Sequence, residues 1–137
     1  MLVLLAAVAA LSASSDRARA IESARDLLDS CQELEKGREG TGKDILIPNS
    51  RNALVCWGYM QAMQDLSVLV DQRGRRLIGS CPPEATTSLE LLHAFLAYAR
   101  SHADDLDGNA AAAVVNALQE SFPCRQGSGS ERGSKRP

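Results

Sequence analysis

Aromatic side chains are scarce in this sequence: tryptophan, tyrosine and phenylalanine together make up only 4% of its 137 residues. Strands of a β-sheet are usually enriched in aromatic and β-branched residues, so this composition argues against a β-rich core. Alanine and leucine dominate the chain instead, and both favour helices. The composition therefore predicts an all-α domain whose helices pack closely around an aliphatic interior.

An excess of positive charge is also missing, because 15 lysines and arginines stand against 17 aspartates and glutamates, for a net charge of −2. A nucleic-acid-binding domain normally carries a basic face or stripe, whereas the cations of this chain are scattered along the predicted fold. Its composition is therefore not that of a protein whose partner is a nucleic acid.

A long apolar run is absent as well. Residues 1–13 are almost wholly apolar, but a membrane-spanning helix needs about twenty such residues. The run is followed by Ala18-Arg19-Ala20, a small-x-small sequence typical of the end of a secretory signal peptide. We predict that residues 1–20 are removed after Ala20, that the processed chain has no membrane segment, and that it resides in the periplasm.

The four cysteines, at positions 31, 56, 81 and 124, contain no Cys-x-x-Cys pair. Neither His93 nor His102 lies next to a cysteine, so the spacing disfavours a zinc site, thioredoxin-type redox chemistry and haem attachment. An even number of cysteines in an exported chain is typical of structural disulfides. We therefore expect two disulfides.

Apolar residues that recur at spacings of three and four predict four helices, over residues 21–36, 50–70, 87–102 and 110–121. Loops are expected at residues 37–49 and 71–83, and a disordered tail at residues 125–137. The residues expected on the buried sides are, in order, Ile21, Ala24, Leu27, Leu28 and Cys31; Leu54, Trp57, Met60 or Gln61, Ala62 and Leu66; Leu89, Leu92, Phe95, Leu96 and Ala99; and Val114, Leu118 and Phe122.

Helix starts carry their own sequence signals. Asn49 or Ser50 can cap the second helix, and Asp107 can cap the fourth. Thr87, with Glu90 three residues later, is a capping box for the third helix. Together these signals predict a small four-helix domain over residues 21–124, made of two consecutive helical hairpins.

The hairpin arrangement predicts how the cysteines pair. Cys31 lies shortly before the end of the first helix and Cys56 shortly after the start of the second, so antiparallel packing places them at similar heights. Cys81 precedes the third helix and Cys124 follows the fourth, which places both at the open end of the second hairpin. We expect the pairs Cys31–Cys56 and Cys81–Cys124.

Several motifs resemble chemical sites but lack essential parts. Residues 37–44 resemble a phosphate-binding loop, yet Asp44 stands where serine or threonine is needed, and no strand is expected before it. Asp104, Asp105 and Asp107 lack the spacing of a calcium-binding loop, and helix capping accounts for them. Both histidines are expected at the surface or at a helix end. We predict no catalytic residues, no metal site and no cofactor.

Three ordered segments of the sequence resemble the Rap/Tai family of type VI secretion immunity proteins. The first contains Cys56 with Gly58, Tyr59 and Asp65, and the second is Cys81-Pro82-Pro83. Ala62 takes the place of a family glycine in the first. The third segment is Ala117-Leu118-Gln119-Glu120-Ser121-Phe122-Pro123-Cys124.

The resemblance implies a periplasmic helical protein, often dimeric, that occludes the groove of a secreted peptidoglycan amidase. It supplies no catalytic residues. Among the loops, residues 72–77 are the exposed and arginine-rich candidate for contact with the partner: Gln72, Arg73, Gly74, Arg75, Arg76 and Leu77. An acid-stress chaperone or an envelope structural protein is the alternative function, and an enzyme is a third, disfavoured class.

Overall fold

The computed structural model describes residues 21–41 and 44–124; the predicted signal peptide and tail lie outside these ranges. Four helices dominate it, as predicted. No helix in the described ranges has the length and apolar character to cross a membrane. The elements are α1 (Ala24–Gly37), β1 (Glu39–Thr41), β2 (Asp44–Leu46), α2 (Arg51–Ser67), α3 (Ser88–Ser101), a short 3-10 helix (Ala103–Asp107) and α4 (Ala110–Ser121).

Capping side chains begin all four helices. Ser23 caps α1 and Ser50 caps α2, where its hydroxyl accepts from the amide of Ala53. The capping box of Thr87 and Glu90 on α3 is confirmed. The prediction for α4 is wrong: Asn109, not Asp107, caps the helix. The reason is that Asp107 is the last residue of the 3-10 helix, whereas α4 begins at Ala110 as predicted and its cap is therefore the residue immediately before it.

The first two helices bury complementary faces against each other. Ala24, Leu27, Cys31 and Leu34 of α1 are fully buried. On α2 the predicted buried side is mostly wrong, because Leu54 and Leu66 are exposed and Ala62 is also at the surface. The buried residues of α2 are Ala53, Cys56, Met60, Met63 and Ser67.

The third helix lies at the centre of the core. Its five predicted buried residues, from Leu89 to Ala99, are all confirmed, and Phe95 is the largest fully buried side chain. Val114 and Leu118 of α4 complete the interior. A single aliphatic core thus joins the four helices.

Both predicted disulfides are confirmed. Cys31–Cys56 links α1 to α2, with Cα atoms 5.1 Å apart, and Cys81–Cys124 links the segment before α3 to the end of α4, with Cα atoms 4.8 Å apart. Each closes a helical hairpin at the height that antiparallel packing dictates.

The predicted loop at residues 37–49 contains a small antiparallel sheet, in which Glu39 pairs with Leu46 and Thr41 with Asp44. Gly40 has a φ of 85°, and a Cβ atom there would collide with the carbonyl oxygen of Asp44. The apolar piece after it packs on the core through Ile45 and Ile47. The segment that resembled a phosphate-binding loop leads into a strand rather than a helix.

Candidate functional site

Residues 68–77 lie between α2 and α3 and reverse the chain direction in a short hairpin, which we call the arginine hairpin. The predicted second helix continued to Val70, but α2 ends at Ser67 and the chain turns back on itself. Val70 bridges Arg76 in antiparallel fashion, and the amide of Leu77 donates to the carbonyl of Leu69 at 3.0 Å. The residues from Gln72 to Arg75 lie at the surface as predicted, whereas Arg76 is half-buried.

One carboxylate organises the tip of the arginine hairpin. Asp71 Oδ1 accepts the amides of Arg73 and Arg75 at 2.8 and 2.9 Å, and Oδ2 accepts Arg75 Nε at 2.8 Å. Hydrogen bonds from the Arg75 amide, then from its side chain and from the Arg73 amide, hold the pKa of Asp71 below its usual value. Gly74 supplies the positive φ of 74° that closes the turn. The tip is therefore ordered before any partner arrives.

The base of the arginine hairpin is fastened to two helices. Arg76 Nη1 donates to the carbonyl of Ser67, the last residue of α2, at 3.3 Å, and to that of Val68 within the hairpin at 2.6 Å. On the other side, Gln119 of α4 donates to the carbonyl of Ile78 at 2.8 Å. The Cys81 amide donates to the carbonyl of Phe122 at 2.8 Å beside the Cys81–Cys124 disulfide. These contacts limit how far the hairpin can move relative to the core.

The surface of the arginine hairpin combines apolar and cationic groups. Its exposed apolar side chains are Val68, Leu69, Val70 and Leu77, the last with 59% of its surface accessible. Three of the eight arginines and lysines in the described part of the chain lie here, and fifteen aspartates and glutamates lie in the same described part. Positive charge is thus concentrated at one end of an acidic domain.

Such a surface is suited to binding another protein. The centres of protein interfaces are rich in apolar area and enriched in arginine, because apolar surface gains free energy on leaving water and a guanidinium can donate several directed hydrogen bonds to a partner. A segment that is already ordered also loses little conformational entropy when it binds. The arginine hairpin therefore has the composition and the rigidity of a protein-docking site.

The motif residues named in the sequence occupy two separate places. Gly58, Tyr59 and Asp65 lie on α2, where Tyr59 is half-buried against the core and the other two are exposed. Phe122 and Pro123 lie at the end of α4, where Pro123 bridges Ser80. Pro82 follows Cys81 in the adjacent connector and is half-buried. The second group surrounds the disulfide that holds the base of the arginine hairpin.

The other residues considered for chemistry have structural contacts. His102 is at the C-cap of α3, as predicted, and stacks on Tyr98 with ring centroids 4.0 Å apart. Nε2 of His93 lies 3.3 Å from Glu35, whose pKa is lowered chiefly by its hydrogen bond from Arg38. Within residues 21–41 and 44–124, no three histidine, cysteine or carboxylate side chains gather as a metal site would require.

Two aspartates of the 3-10 helix, Asp105 and Asp107, are also engaged. Arg25 Nε donates to Asp107 at 2.9 Å, which ties the start of α1 to this segment. The hydroxyl of Tyr98 donates to Asp105 at 2.5 Å, and this hydrogen bond raises the pKa of the tyrosine. These carboxylates thus hold neighbouring elements together.

Comparison with known families decides what kind of protein carries this surface. The family described as Rap1a immunity proteins matches residues 23–124, which is nearly all of the described domain. The chain belongs to the Rap1a immunity protein family. No curated protein and no solved structure matches the chain.

Membership in the Rap1a immunity family gives the domain a binding role, because an immunity protein acts against an effector protein. The family resemblance drawn from the ordered cysteine, Gly-Tyr and Phe-Pro-Cys segments is confirmed. Sequence reasoning missed the apolar half of the arginine hairpin, since Val68, Leu69 and Val70 were assigned to α2. The β-branched residues Val68 and Val70, followed by the turn formers Asp71 and Gly74, are the sequence signal that could have predicted an earlier end of the helix.

Proposed function

We propose that this Rap1a immunity protein binds a type VI secretion peptidoglycan amidase and occludes its substrate groove with the arginine hairpin. The observation that carries this proposal is an exposed turn, held by its own hydrogen bonds, that joins apolar and cationic groups in a member of an immunity family. An exposed and ordered segment of this kind is suited to contact with a concave enzyme site.

The periplasm is the proposed site of action. An amidase that cleaves peptidoglycan acts in that compartment, so protection requires the immunity protein to be there. Two features support this placement. The Cys31–Cys56 and Cys81–Cys124 disulfides need an oxidising environment to form and persist. Residues 1–20 carry the sequence pattern of a secretory signal.

Co-expression tests the proposal. The protein is expressed with its signal sequence beside periplasm-targeted amidases encoded near it, and cell lysis is followed together with binding of the purified pair by calorimetry. We expect protection from one amidase and a stable complex. Arg73→Glu and Leu77→Asp should each weaken binding by about tenfold or more, since the first reverses a charge and the second places a charge in an apolar contact.

Two variants serve as matched controls. Arg100→Glu makes the same charge change at an exposed position on α3, and Leu46→Asp makes the same polar change on β2, where the leucine is 69% exposed. Both should bind normally. If no amidase is neutralised, the proposed target is wrong. If an amidase is neutralised equally well by the hairpin variants, the effector contact lies elsewhere on the domain.

A further inference from the structure

An open groove lies between α1 and α3, on a part of the surface that does not include the arginine hairpin. Its volume is about 480 Å³, and small-molecule sites usually measure roughly 300–1,000 Å³. The apolar side chains that line it are Leu28, Leu96 and Ala99, of which Leu96 and Ala99 are more than nine-tenths buried and form the floor. This α1–α3 groove is therefore large enough for a small ligand and offers it an apolar floor.

Positive charge without a partner lines the α1–α3 groove. Lys36 and Arg100 are both exposed, and neither forms an ion pair within the part of the chain that the structure describes. Among the described lining residues Glu35 is the only carboxylate, and Arg38 already binds it, with Nε and Nη2 donating at 2.7 and 2.8 Å. On a domain whose described residues are mostly acidic, this local excess of positive charge favours an anionic ligand.

The two cations lie toward different ends of the groove. Nε2 of His93 is 3.3 Å from Glu35, the neighbour of Lys36 in α1, so this turn of α3 lies at the Lys36 end. Arg100 lies seven residues farther along α3, which is about 10 Å along a helix axis. The floor residues of α3 come between these two positions. A linear ligand can therefore place an acid group at Arg100 and an apolar chain along the floor toward Lys36.

The walls of the groove favour an aliphatic chain over a peptide segment. Both walls are helices, whose backbone amides and carbonyls bond to each other within the helix, so they cannot pair with the backbone of an extended peptide. Among the described lining residues, Gln32 is the only uncharged polar side chain. A peptide on this floor would lose hydrogen bonds to water that the groove does not replace. A hydrocarbon chain has none to lose, and its burial is favourable.

We propose that the α1–α3 groove binds a fatty acid, with the carboxylate on Arg100 and the chain against Leu28, Leu96 and Ala99. A guanidinium matches a carboxylate, because two parallel N–H groups can donate to its two oxygens. Lys36 covers the far end of the chain with its aliphatic stem while its ammonium group remains in water. The proposal goes beyond effector binding and does not depend on which effector is bound.

Titration with decanoate tests the proposal on the processed protein with both disulfides formed. Chemical shifts are followed by NMR and affinity by calorimetry, below the concentration at which decanoate forms micelles. We expect one saturable site, with the shift changes concentrated at Gln32, Leu96, Ala99 and Arg100. Decanol and decyltrimethylammonium have the same chain but a neutral and a cationic head. Each should bind at least about tenfold more weakly, because neither can pair with the guanidinium.

Substitution of Arg100 separates recognition from helix stability. Arg100→Glu should weaken decanoate binding by about tenfold or more, since it replaces the cation with a like charge. Arg100 also lies in the last turn of α3, where a cation stabilises the helix. Arg100→Lys keeps that charge but loses the paired donors, so it should retain stability to urea and still bind decanoate more weakly. Arg51→Glu, the matched control at an exposed position on α2, should bind decanoate normally.

Ala99→Leu gives an independent test of where the chain lies, because the larger side chain fills part of the floor. It should weaken decanoate binding while circular dichroism shows the variant folded. If this variant does not fold, the Arg100 variants still decide the question.

Absence of saturable decanoate binding would overturn the proposal. So would binding that Arg100→Glu leaves unchanged, equal binding of all three amphiphiles, or shift changes at residues 68–77, where apolar side chains and arginines also lie together. An acidic, leucine-containing peptide that binds in the groove when decanoate does not would identify a protein segment as the ligand instead. Arg100→Glu should bind the effector normally, so failure of this proposal and failure of the hairpin proposal are seen separately.

Discussion

Asp71 fixes the shape of the arginine hairpin through three hydrogen bonds from two residues, Arg73 and Arg75. We expect Asp71→Ala to free the tip without unfolding the domain, since these hydrogen bonds all lie within the turn. Amide hydrogen exchange at Arg73 and Arg75 should become faster in the variant, whereas exchange in α3 should not change. Unchanged exchange at the tip would show that the turn is ordered without this carboxylate.

The lowered pKa of Asp71 sets the direction of a pH effect on the same turn. Because the hydrogen bonds favour the ionised form, their stabilising contribution is present above the usual aspartate pKa of about 4. It is lost as pH falls through the lower pKa of the folded state. The amide resonances of Arg73 and Arg75 should therefore titrate with a midpoint below about 4, and this step should be absent in Asp71→Ala.

At the scale of elements, the cap of α4 is Asn109, two residues after the aspartate that the sequence analysis predicted. Asn109 accepts the amide of Ala112 at 3.1 Å and caps the helix, whereas Asp107 forms an exposed pair with Arg25. Asn109→Ala should lower the free energy of unfolding by about 1 kcal/mol. Asp107→Ala should have a smaller effect, as for other exposed ion pairs. Urea denaturation of both variants measures the difference, and equal losses would contradict the assignment of the cap.

The second helix shows which part of the fold was predictable from sequence and which part was not. Its existence and its Ser50 cap follow from spacing and cap chemistry, but its rotation about its own axis does not. Leucines predict one buried side, while Ala53, Met60 and Met63 define another. The disulfide resolves this ambiguity, because Cys56 has to face α1 and these three residues lie three, four and seven positions from it. The position of the disulfide, and not the bulk of the leucines, therefore indicates which side of α2 is buried.

At the scale of the whole molecule, the cysteine pairing was predictable because it depends only on helix order and length. The docking surface was predictable only in part. The exposure and charge of residues 72–75 follow from composition, whereas the apolar residues beside them depend on where α2 stops. The exposed side of α2 was not predictable, because it requires knowing which side of the helix the core covers.

The two disulfides differ in accessibility, and this predicts the order in which they open. Cys31 and Cys56 are fully buried, whereas Cys81 is exposed and Cys124 is half-buried. A thiolate has to reach a sulfur atom to reduce it, so mild reductant should open Cys81–Cys124 first. Alkylation at short times followed by mass spectrometry should label Cys81 and Cys124 before the other pair.

Loss of the accessible disulfide should affect binding more than architecture. The chain-entropy model gives about 4 kcal/mol for a bridge that closes 43 residues, so Cys81→Ala with Cys124→Ala should be folded but less stable to urea. Because this bridge fastens the base of the arginine hairpin to α4, the same variant should also bind its effector more weakly at temperatures where its helical signal is intact. Early labelling of Cys31 and Cys56 would contradict this order, since it would mean that the helical core opens before the hairpin is released.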